Sequence, residues 1–244
     1  MKKTILSMFS IMMVTLGIFA QESNEKEGSD ISRFLSDDVC QTIAFSLPQP
    51  PSEDSEKFAE DIKYYKWGKE EREKKNIREE ALREDEASIL ALFSGVLGMK
   101  VSKSHTPEIY KLAKTALNDA QYATHKGQAY FKRTKPFVYF HEGSLTSKGS
   151  GDNFEDKKDS YPSGHSTRGW ILSLVLAYIA PEHSEALMKC AEQYATYRVI
   201  MGRHWKSDVD AGKLLAISIF SKEVVSPECQ QQLLKAKAEY KSLR

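Results

Sequence analysis

The spacing of apolar residues along the chain predicts helices. Phe58, Ile62 and Tyr65 lie four and three residues apart, which places them on one face of a helix. After Thr106-Pro107, a capping hydroxyl followed by a proline suited to the first helical position, residues 109–117 repeat this spacing. No stretch alternates apolar and polar residues as a half-buried strand does. The pattern therefore predicts an all-α helical bundle.

Residues 166–180 are predicted to form the central helix of this bundle. They are apolar nearly all round, which is typical of a helix buried on every side, and Pro181 ends them. The segment is shorter than the ~20 residues of a membrane span. The polar residues 141–160 before it are predicted to be a long loop, a kind of segment that often carries function. Other helices are predicted at 55–67, 69–87, 106–123, 182–201, 209–225 and 230–240.

The N-terminus has the layout of a cleaved secretory signal. Lys2 and Lys3 precede an apolar run that ends at Phe19, and the small residue Ala20 stands before a polar stretch. A membrane anchor is the alternative, but the run is short of the ~20 residues that span a bilayer. We expect a periplasmic or secreted protein. Its predicted parts are a signal peptide (1–20), a flexible polar lead-in (21–45) and a single helical domain (46–244).

Composition narrows the function classes only slightly. The formal net charge is +1, so the chain lacks the basic excess that would indicate a nucleic acid as its partner. The cysteines Cys40, Cys190 and Cys229 have no spacing typical of zinc or redox sites. Export permits one disulfide and one free thiol, and three buried thiols are the other option.

One candidate site segment lies where the polar loop meets the central helix. Ser163, Gly164 and His165 stand at this junction, where backbone amides without intrahelical acceptors point at an anion in front of them. Glycine lets the backbone approach that anion closely. His165, in the first turn, is then placed to give a proton to a leaving oxygen. The alternative is an ordinary helix start with an exposed histidine.

A second segment supplies an arginine, a histidine and a carboxylate. Arg198 offers a planar fork to phosphate oxygens. Asp208, four residues after His204, is expected to accept a hydrogen bond from one ring N–H of His204. The other ring nitrogen is then free to attack. A zinc site built on His165, His204 and Asp208 is an alternative, although no metal-binding spacing supports it. A surface histidine and a capping aspartate are the other alternative.

Together, the two segments resemble the signature of the class A bacterial non-specific acid phosphatases. These proteins form a soluble branch of the type 2 phosphatidic acid phosphatase superfamily. Their signature runs Lys-x6-Arg-Pro, then Pro-Ser-Gly-His, then Ser-Arg-x5-His-x3-Asp. Residues 162–165 match the second motif fully. Arg198, His204 and Asp208 match the third motif, in which Tyr197 replaces the serine, and the likeness extends over about residues 45–240.

The resemblance implies a fold, a reaction and a set of site residues. The fold is the helical bundle shared with vanadium haloperoxidases, and the reaction is hydrolysis of phosphomonoesters through a phosphohistidine. His204 is then the nucleophile, Asp208 orients it and His165 is the general acid. The phosphate-binding groups are Arg198, Ser163, Gly164 and Lys135. No metal or cofactor is implied, phosphate and vanadate are expected inhibitors, and the likeness allows a homo-oligomer.

The first motif of the signature is altered in this chain. Counted back from Pro136, Lys135 takes the arginine position and Gln128 the lysine position. Lys135 keeps the charge but lacks the bidentate fork, and Gln128 has no charge. A phosphate-binding or weakly active homologue is therefore the main alternative to a phosphatase. A vanadium haloperoxidase is the nearest rival enzyme, and a membrane lipid phosphatase is disfavoured because no later segment is long and apolar enough.

Overall fold

The computed structural model describes residues 32–145 and 157–244. These residues form ten α-helices and no strand, which confirms the predicted all-α fold for the described part of the chain. The predicted signal peptide and the first part of the lead-in lie outside it. The helices are α1 (Asp37–Phe45), α2 (Glu56–Glu71), α3 (Lys75–Glu86), α4 (Ile89–Leu97), α5 (Pro107–Phe131), α6 (Pro136–Tyr139), α7 (Gly164–Ile179), α8 (Ser184–Ile200), α9 (Lys206–Glu223) and α10 (Pro227–Ser242).

Helix α7 is the centre of the bundle, as its apolar sequence predicts. It packs against α5, α8 and α9, and α10 also contacts it. Ile171, Leu172, Val175 and Leu176 are fully buried in the main core. Because hydrophobic side chains leave water on every side of α7, this helix organises the elements around it. Its N-terminal end therefore holds a defined position relative to α5, α8 and α9.

Capping residues account for where several helices begin. The hydroxyls of Ser36, Ser55 and Ser226 each accept the backbone N–H three residues ahead, at 3.4, 3.2 and 3.1 Å. Pro107 and Pro227 occupy first-turn positions, where a missing N–H costs nothing. The helix starts follow from short-range sequence signals of this kind.

The prediction of a flexible polar lead-in is wrong for residues 37–45. They form α1, which packs against α5 and buries Cys40, Ile43 and Ala44. These three residues share one helical face, but charged and polar neighbours hide the pattern in a short segment. Tertiary contact with α5 therefore decides the structure of this segment.

Several predicted helix boundaries also change. The predicted helix 69–87 is divided, because α2 ends at Glu71 and α3 begins at Lys75. The helix expected to stop near residue 123 continues to Phe131, and Lys132 ends it with a left-handed φ of 49°. Helix α4 runs on to Leu97 and stops at Gly98, which has a φ of 68°. Long helices tolerate weak positions when one face stays buried.

The structure shows the state of the three cysteines and whether any described helix could span a membrane. Cys40, Cys190 and Cys229 are free thiols, and all three are buried. Of the two options left open by the sequence, the structure therefore has three buried thiols. Within residues 32–145 and 157–244, no helix is both long and apolar enough to cross a membrane.

Candidate active site

Hydrogen bonds between α7 and α9 join the two sequence motifs. The Ser163 amide donates to the Asp208 carbonyl oxygen at 2.9 Å, and the Ser166 hydroxyl donates to the Val209 carbonyl oxygen at 2.7 Å. Gly212 permits this approach, because a Cβ there would lie 2.6 Å from the Ser163 carbonyl oxygen. The N-terminal ends of the two helices therefore lie side by side, although their motifs are far apart in sequence.

Ser163 takes a different role from the one expected of its backbone. Its amide is engaged by Asp208, so this N–H does not point at a bound anion. Its hydroxyl caps α7 by accepting the Ser166 amide at 3.4 Å, and this leaves the hydroxyl proton for another acceptor. The expectation of a Ser163 amide facing the anion is thus wrong. The hydroxyl is the group of Ser163 that remains able to donate.

A backbone carbonyl, rather than Asp208, holds the ring of His204. The His204 Nδ1 atom lies 2.9 Å from the Ser160 carbonyl oxygen and 3.6 Å from Asp208 Oδ2. A carbonyl oxygen only accepts, so neutral His204 carries its proton on Nδ1 and leaves Nε2 with a free lone pair. The direct bond from His204 to Asp208 expected from the sequence is therefore absent from this geometry. The expected tautomer is still favoured.

Asp208 acts on His204 through Ser160. Asp208 Oδ2 accepts the Ser160 hydroxyl at 2.5 Å and the Trp205 amide at 2.9 Å, the second of which caps α9. The same Ser160 then presents its carbonyl oxygen to His204. Asp208 is fully buried, and burial raises the pKa of its carboxyl group, an effect opposed by Arg133. The carboxylate thus positions the residue that holds the histidine.

Arg133 is a site residue that the sequence did not identify by role. Its NH1 atom donates to Asp208 Oδ1 at 2.6 Å, and its NH2 atom donates to Asp61 Oδ2 at 2.7 Å. The guanidinium is buried between these two carboxylates. Asp61 lies 72 residues away on α2, so no local pattern relates the two positions. Arg133 compensates the buried charge of Asp208 and fixes its orientation.

Two further cations lie near the histidines. Arg198 is buried, and its NH1 atom donates to Asp85 Oδ1 at 2.6 Å, whereas its Nε has no hydrogen-bond partner among the described residues. Lys135 is also buried, with Nζ 3.7 Å from Asp159 Oδ1. Burial lowers the pKa of Lys135 to about 8. Buried donors of this kind, incompletely paired, suit an anion.

The protein environment lowers the pKa of both histidines. Burial lowers the pKa of His165 well below its ordinary value, and the positive charges of Arg198 and Arg168 lower it further. Burial also lowers the pKa of His204, with Lys135 and Arg198 adding to the effect. The electrostatic effects of Arg198 and Lys135 on both rings are consistent with His165, His204 and these cations lying in one region of the molecule.

Comparison with known proteins assigns the chain to a family. Residues 113–224 match the PAP2 superfamily. The non-specific acid phosphatase of Salmonella typhimurium is 32% identical over 212 residues, which cover 86% of this chain and 84% of the relative. The chain belongs to the non-specific acid phosphatases of the PAP2 superfamily. A similar protein of Providencia stuartii, also called a non-specific acid phosphatase, is 34% identical over 201 residues, or 81% of this chain and 80% of its own length. The resemblance inferred from the motifs is confirmed.

The departures from the family motifs have structural counterparts. Gln128, at the lysine position, donates from Nε2 to the Pro162 carbonyl oxygen at 3.1 Å. Tyr197, at the serine position, donates its hydroxyl to Glu80 Oε2 at 2.6 Å. Lys135 remains a buried cation at the arginine position.

Within residues 32–145 and 157–244, no group of three His, Cys, Asp or Glu side chains is arranged to hold a metal ion.

Proposed function

We propose that this chain is a secreted, metal-independent acid phosphatase that hydrolyses phosphomonoesters through a phosphohistidine on His204. The observation that carries the proposal is the hydrogen bond from His204 Nδ1 to the Ser160 carbonyl oxygen. It leaves Nε2 as a nucleophile in a region that also holds His165 and Arg198. Membership of the acid phosphatase family supports the same chemistry. Secretion rests on the predicted signal peptide, which lies outside the described residues.

In the first step, His204 Nε2 attacks phosphorus in line with the ester bond. The P–N bond forms as the P–O bond to the alcohol breaks, and His165 gives its proton to the leaving oxygen. The phosphorylated ring carries a positive charge, which the network of Ser160 and Asp208 stabilises. In the second step a water oxygen attacks phosphorus and His165 accepts its proton. The P–N bond breaks as the new P–O bond forms, which regenerates neutral His204 and releases inorganic phosphate.

The equatorial phosphate oxygens need donors that are in place before the reaction. Arg198 keeps an unpartnered Nε in the described structure, and its buried guanidinium suits a doubly charged anion. Lys135, the Ser163 hydroxyl and the Gly164 amide complete the proposed set. Vanadate adopts the trigonal-bipyramidal shape of the transition state, so we expect it to inhibit the enzyme, as inorganic phosphate does.

The pH dependence of activity follows from the two histidines. Attack requires neutral His204, and leaving-group protonation requires charged His165. Both pKa values are lowered in the free protein. Both rings are therefore largely neutral in mildly acidic solution, and the fraction of the free protein that carries the charged His165 needed for protonation grows as the pH falls. We expect kcat/KM to be greatest below pH ~6.5, the ordinary histidine pKa, and to fall as the pH rises toward 8.

The decisive experiment measures hydrolysis of 4-nitrophenyl phosphate across pH 4 to 8 with EDTA present. We expect His204→Ala to abolish turnover and His105→Ala, which removes an exposed histidine, to leave it unchanged. Phosphate trapped on the parent chain should be stable in base and labile in acid, as phosphohistidine is. Full activity in His204→Ala, or loss of parent activity with the chelator, would contradict the mechanism.

One observation favours a second candidate function, a phosphate-binding protein with little turnover. Gln128 is neutral, and one N–H of its Nε2 donates to the Pro162 carbonyl oxygen, so the site lacks one of the family's cations. A calorimetric titration with phosphate, run beside the activity assay, separates the two functions. Phosphate binding in a chain that turns over no ester would favour the binding protein.

A further inference from the structure

A small polar cavity lies beside the first turns of α7. Its volume is about 140 Å³, and Gly164 and Arg168 of α7 form one wall. These two residues are four apart and share a helix face. The opposite wall belongs to α5, which contributes residues at helical spacing: Gln121, Thr124, His125 and Gln128. The cavity is thus lined mainly by groups that form hydrogen bonds.

Two lining residues have buried polar atoms without partners. The Thr124 side chain is only 3% exposed, and its hydroxyl has no hydrogen-bond partner among the described residues. The Nε of Arg168 is buried and equally unpartnered, and within the described part of the chain this guanidinium makes no ion pair. Burying a donor without an acceptor is unfavourable, so these atoms indicate a ligand that supplies acceptors.

The cavity adjoins the residue proposed to protonate the leaving group. His165 directly follows Gly164 and precedes Arg168 by three residues, so Arg168 extends from the next turn on the same side of α7. The positive charge of Arg168 also lowers the pKa of His165, which agrees with their closeness. A group attached to the leaving alcohol can therefore reach Arg168 while the ester oxygen lies at His165.

We propose that this cavity is a subsite for an anionic group on the leaving alcohol, read by Arg168 with Thr124 and Gln128. The inference rests on the proposed phosphatase function and adds its substrate class, phosphomonoesters whose alcohol carries a carboxylate or a second phosphate. A volume of about 140 Å³ holds a carboxylate or a phosphate group. A guanidinium with unused donors selects an anion over a neutral hydroxyl.

The test uses substrates that differ only in this group. 2-Phosphoglycerate is glycerol 2-phosphate with one hydroxymethyl group replaced by a carboxylate, which is ionised at about pH 6. The ratio of their kcat/KM values isolates the effect of the anion. A second pair, glycerol 1,3-bisphosphate and glycerol 1-phosphate, tests a second phosphate, after division by two for its equivalent esters.

We expect the parent chain to prefer the anionic member of at least one pair. Arg168→Gln should lower that preference about ten-fold, the size expected for a lost charge-assisted hydrogen bond. Arg168→Lys should restore part of it, because the charge returns without the fork. The control Lys235→Gln removes an exposed cation from α10 and should leave the ratio unchanged. Ratios are used because Arg168 also acts on His165, which serves both members of a pair equally.

The outcomes separate this inference from the function on which it rests. Equal ratios in the parent chain and Arg168→Gln would overturn the subsite and leave the phosphatase proposal intact. Absence of turnover on every ester would overturn the phosphatase proposal. Calorimetric titration with 2-phosphoglycerate then tests the subsite alone. A weaker Kd in Arg168→Gln supports the subsite, and the same Kd in both proteins overturns it.

Discussion

Arg133 shows how one side chain can maintain a site without touching the substrate. Its guanidinium is buried between Asp208 on α9 and Asp61 on α2. Asp208 in turn binds the Ser160 hydroxyl, and Ser160 holds His204. Removing Arg133 would leave two buried carboxylates without their cation, which is costly because an unpaired charge remains in a poorly solvated place.

We therefore expect Arg133→Leu to destabilise the protein strongly. Breaking a buried ion pair by removal of one partner costs about 3–5 kcal/mol of unfolding free energy. Urea denaturation at neutral pH measures this loss. Lys75→Gln is the control, because the Lys75 side chain is 90% exposed. This change removes only a surface ion pair, in which Lys75 Nζ lies 3.9 Å from Glu79 Oε1. An Arg133→Leu midpoint equal to that of the control would contradict a stabilising role of the two buried ion pairs of Arg133.

At the scale of elements, the close contact between α7 and α9 brings the two motifs together. A Cβ at Gly212 would lie 2.8 Å from the Ser166 Cβ as well as 2.6 Å from the Ser163 carbonyl oxygen. Both contacts are with residues at the start of α7, so relieving them would require α7 or α9 to shift as a whole. The distance between His165 and His204 therefore depends on a glycine that neither motif contains.

We expect Gly212→Ala to reduce both stability and activity. The added methyl must separate α9 from α7, and overpacking of this kind costs about 1–3 kcal/mol. Because attack requires close alignment of His204 with the ester, a small displacement should lower kcat at least ten-fold. Thermal unfolding and 4-nitrophenyl phosphate hydrolysis measure the two effects. Gly143→Ala is the matched control, since its Cβ meets nothing within 4 Å.

Helix α3 places carboxylates against α8 next to the proposed phosphate site. Asp85 pairs with Arg198, and Glu80 accepts the Tyr197 hydroxyl. Glu84 lies between them in sequence, and burial raises the pKa of its carboxyl group to about 8. An anion that binds Arg198 therefore meets a guanidinium already partly neutralised by Asp85.

Asp85→Asn should strengthen phosphate binding and weaken the fold at the same time. Removal of the carboxylate leaves Arg198 with more positive potential for an incoming anion, so the inhibition constant of phosphate should fall several-fold. The buried guanidinium also loses its partner, so the urea midpoint should drop. Glu86→Gln, an exposed position on the same helix, is the control. Unchanged phosphate inhibition in Asp85→Asn would contradict a role of Arg198 in binding.

At the scale of the whole molecule, a buried acid pair holds the N-terminal segment against the bundle. Asp119 on α5 accepts the Phe34 amide at 2.9 Å and lies next to Glu223 at the end of α9. Both side chains are fully buried, and burial raises both pKa values. Two buried carboxyl groups so close to each other cannot both be charged without a large cost, so one of them keeps a proton. The positive charge of Arg33 acts on Asp119, and the thiols of Cys40 and Cys229 also lie near the two carboxyl groups.

This pair should make the protein relatively more stable in acid. When the folded state holds protons that the unfolded state releases, stability is fully present below the unfolded pKa and is lost as the pH rises toward the folded pKa. We therefore expect the unfolding free energy of the parent chain, taken relative to Glu223→Gln, to fall by about 1 kcal/mol or more between pH 5 and 8. Urea titrations at each pH measure it. Glu228→Gln, an exposed change nearby, should show no such trend.

Much of the fold could be predicted from local signals. The apolar segment 166–180 indicated the central helix, and Pro181 indicated where it ends. A helix buried on every side is apolar at nearly every position, so its sequence is easy to recognise. Helix α1 was missed because nine residues with polar neighbours carry too little periodicity. The split between α2 and α3 was also missed, since a run of charged residues favours helix on either side of it.

The sequence by itself determined the helical class, the family and the identity of the motif residues, because these follow from short spacings along the chain. Only the tertiary structure decided what each group binds. Ser160 rather than Asp208 holds His204, Arg133 spans Asp208 and Asp61, and Arg168 faces a cavity shared with α5. These partners come from different helices, and hydrogen bonds between distant residues depend on packing that leaves no local pattern in the sequence.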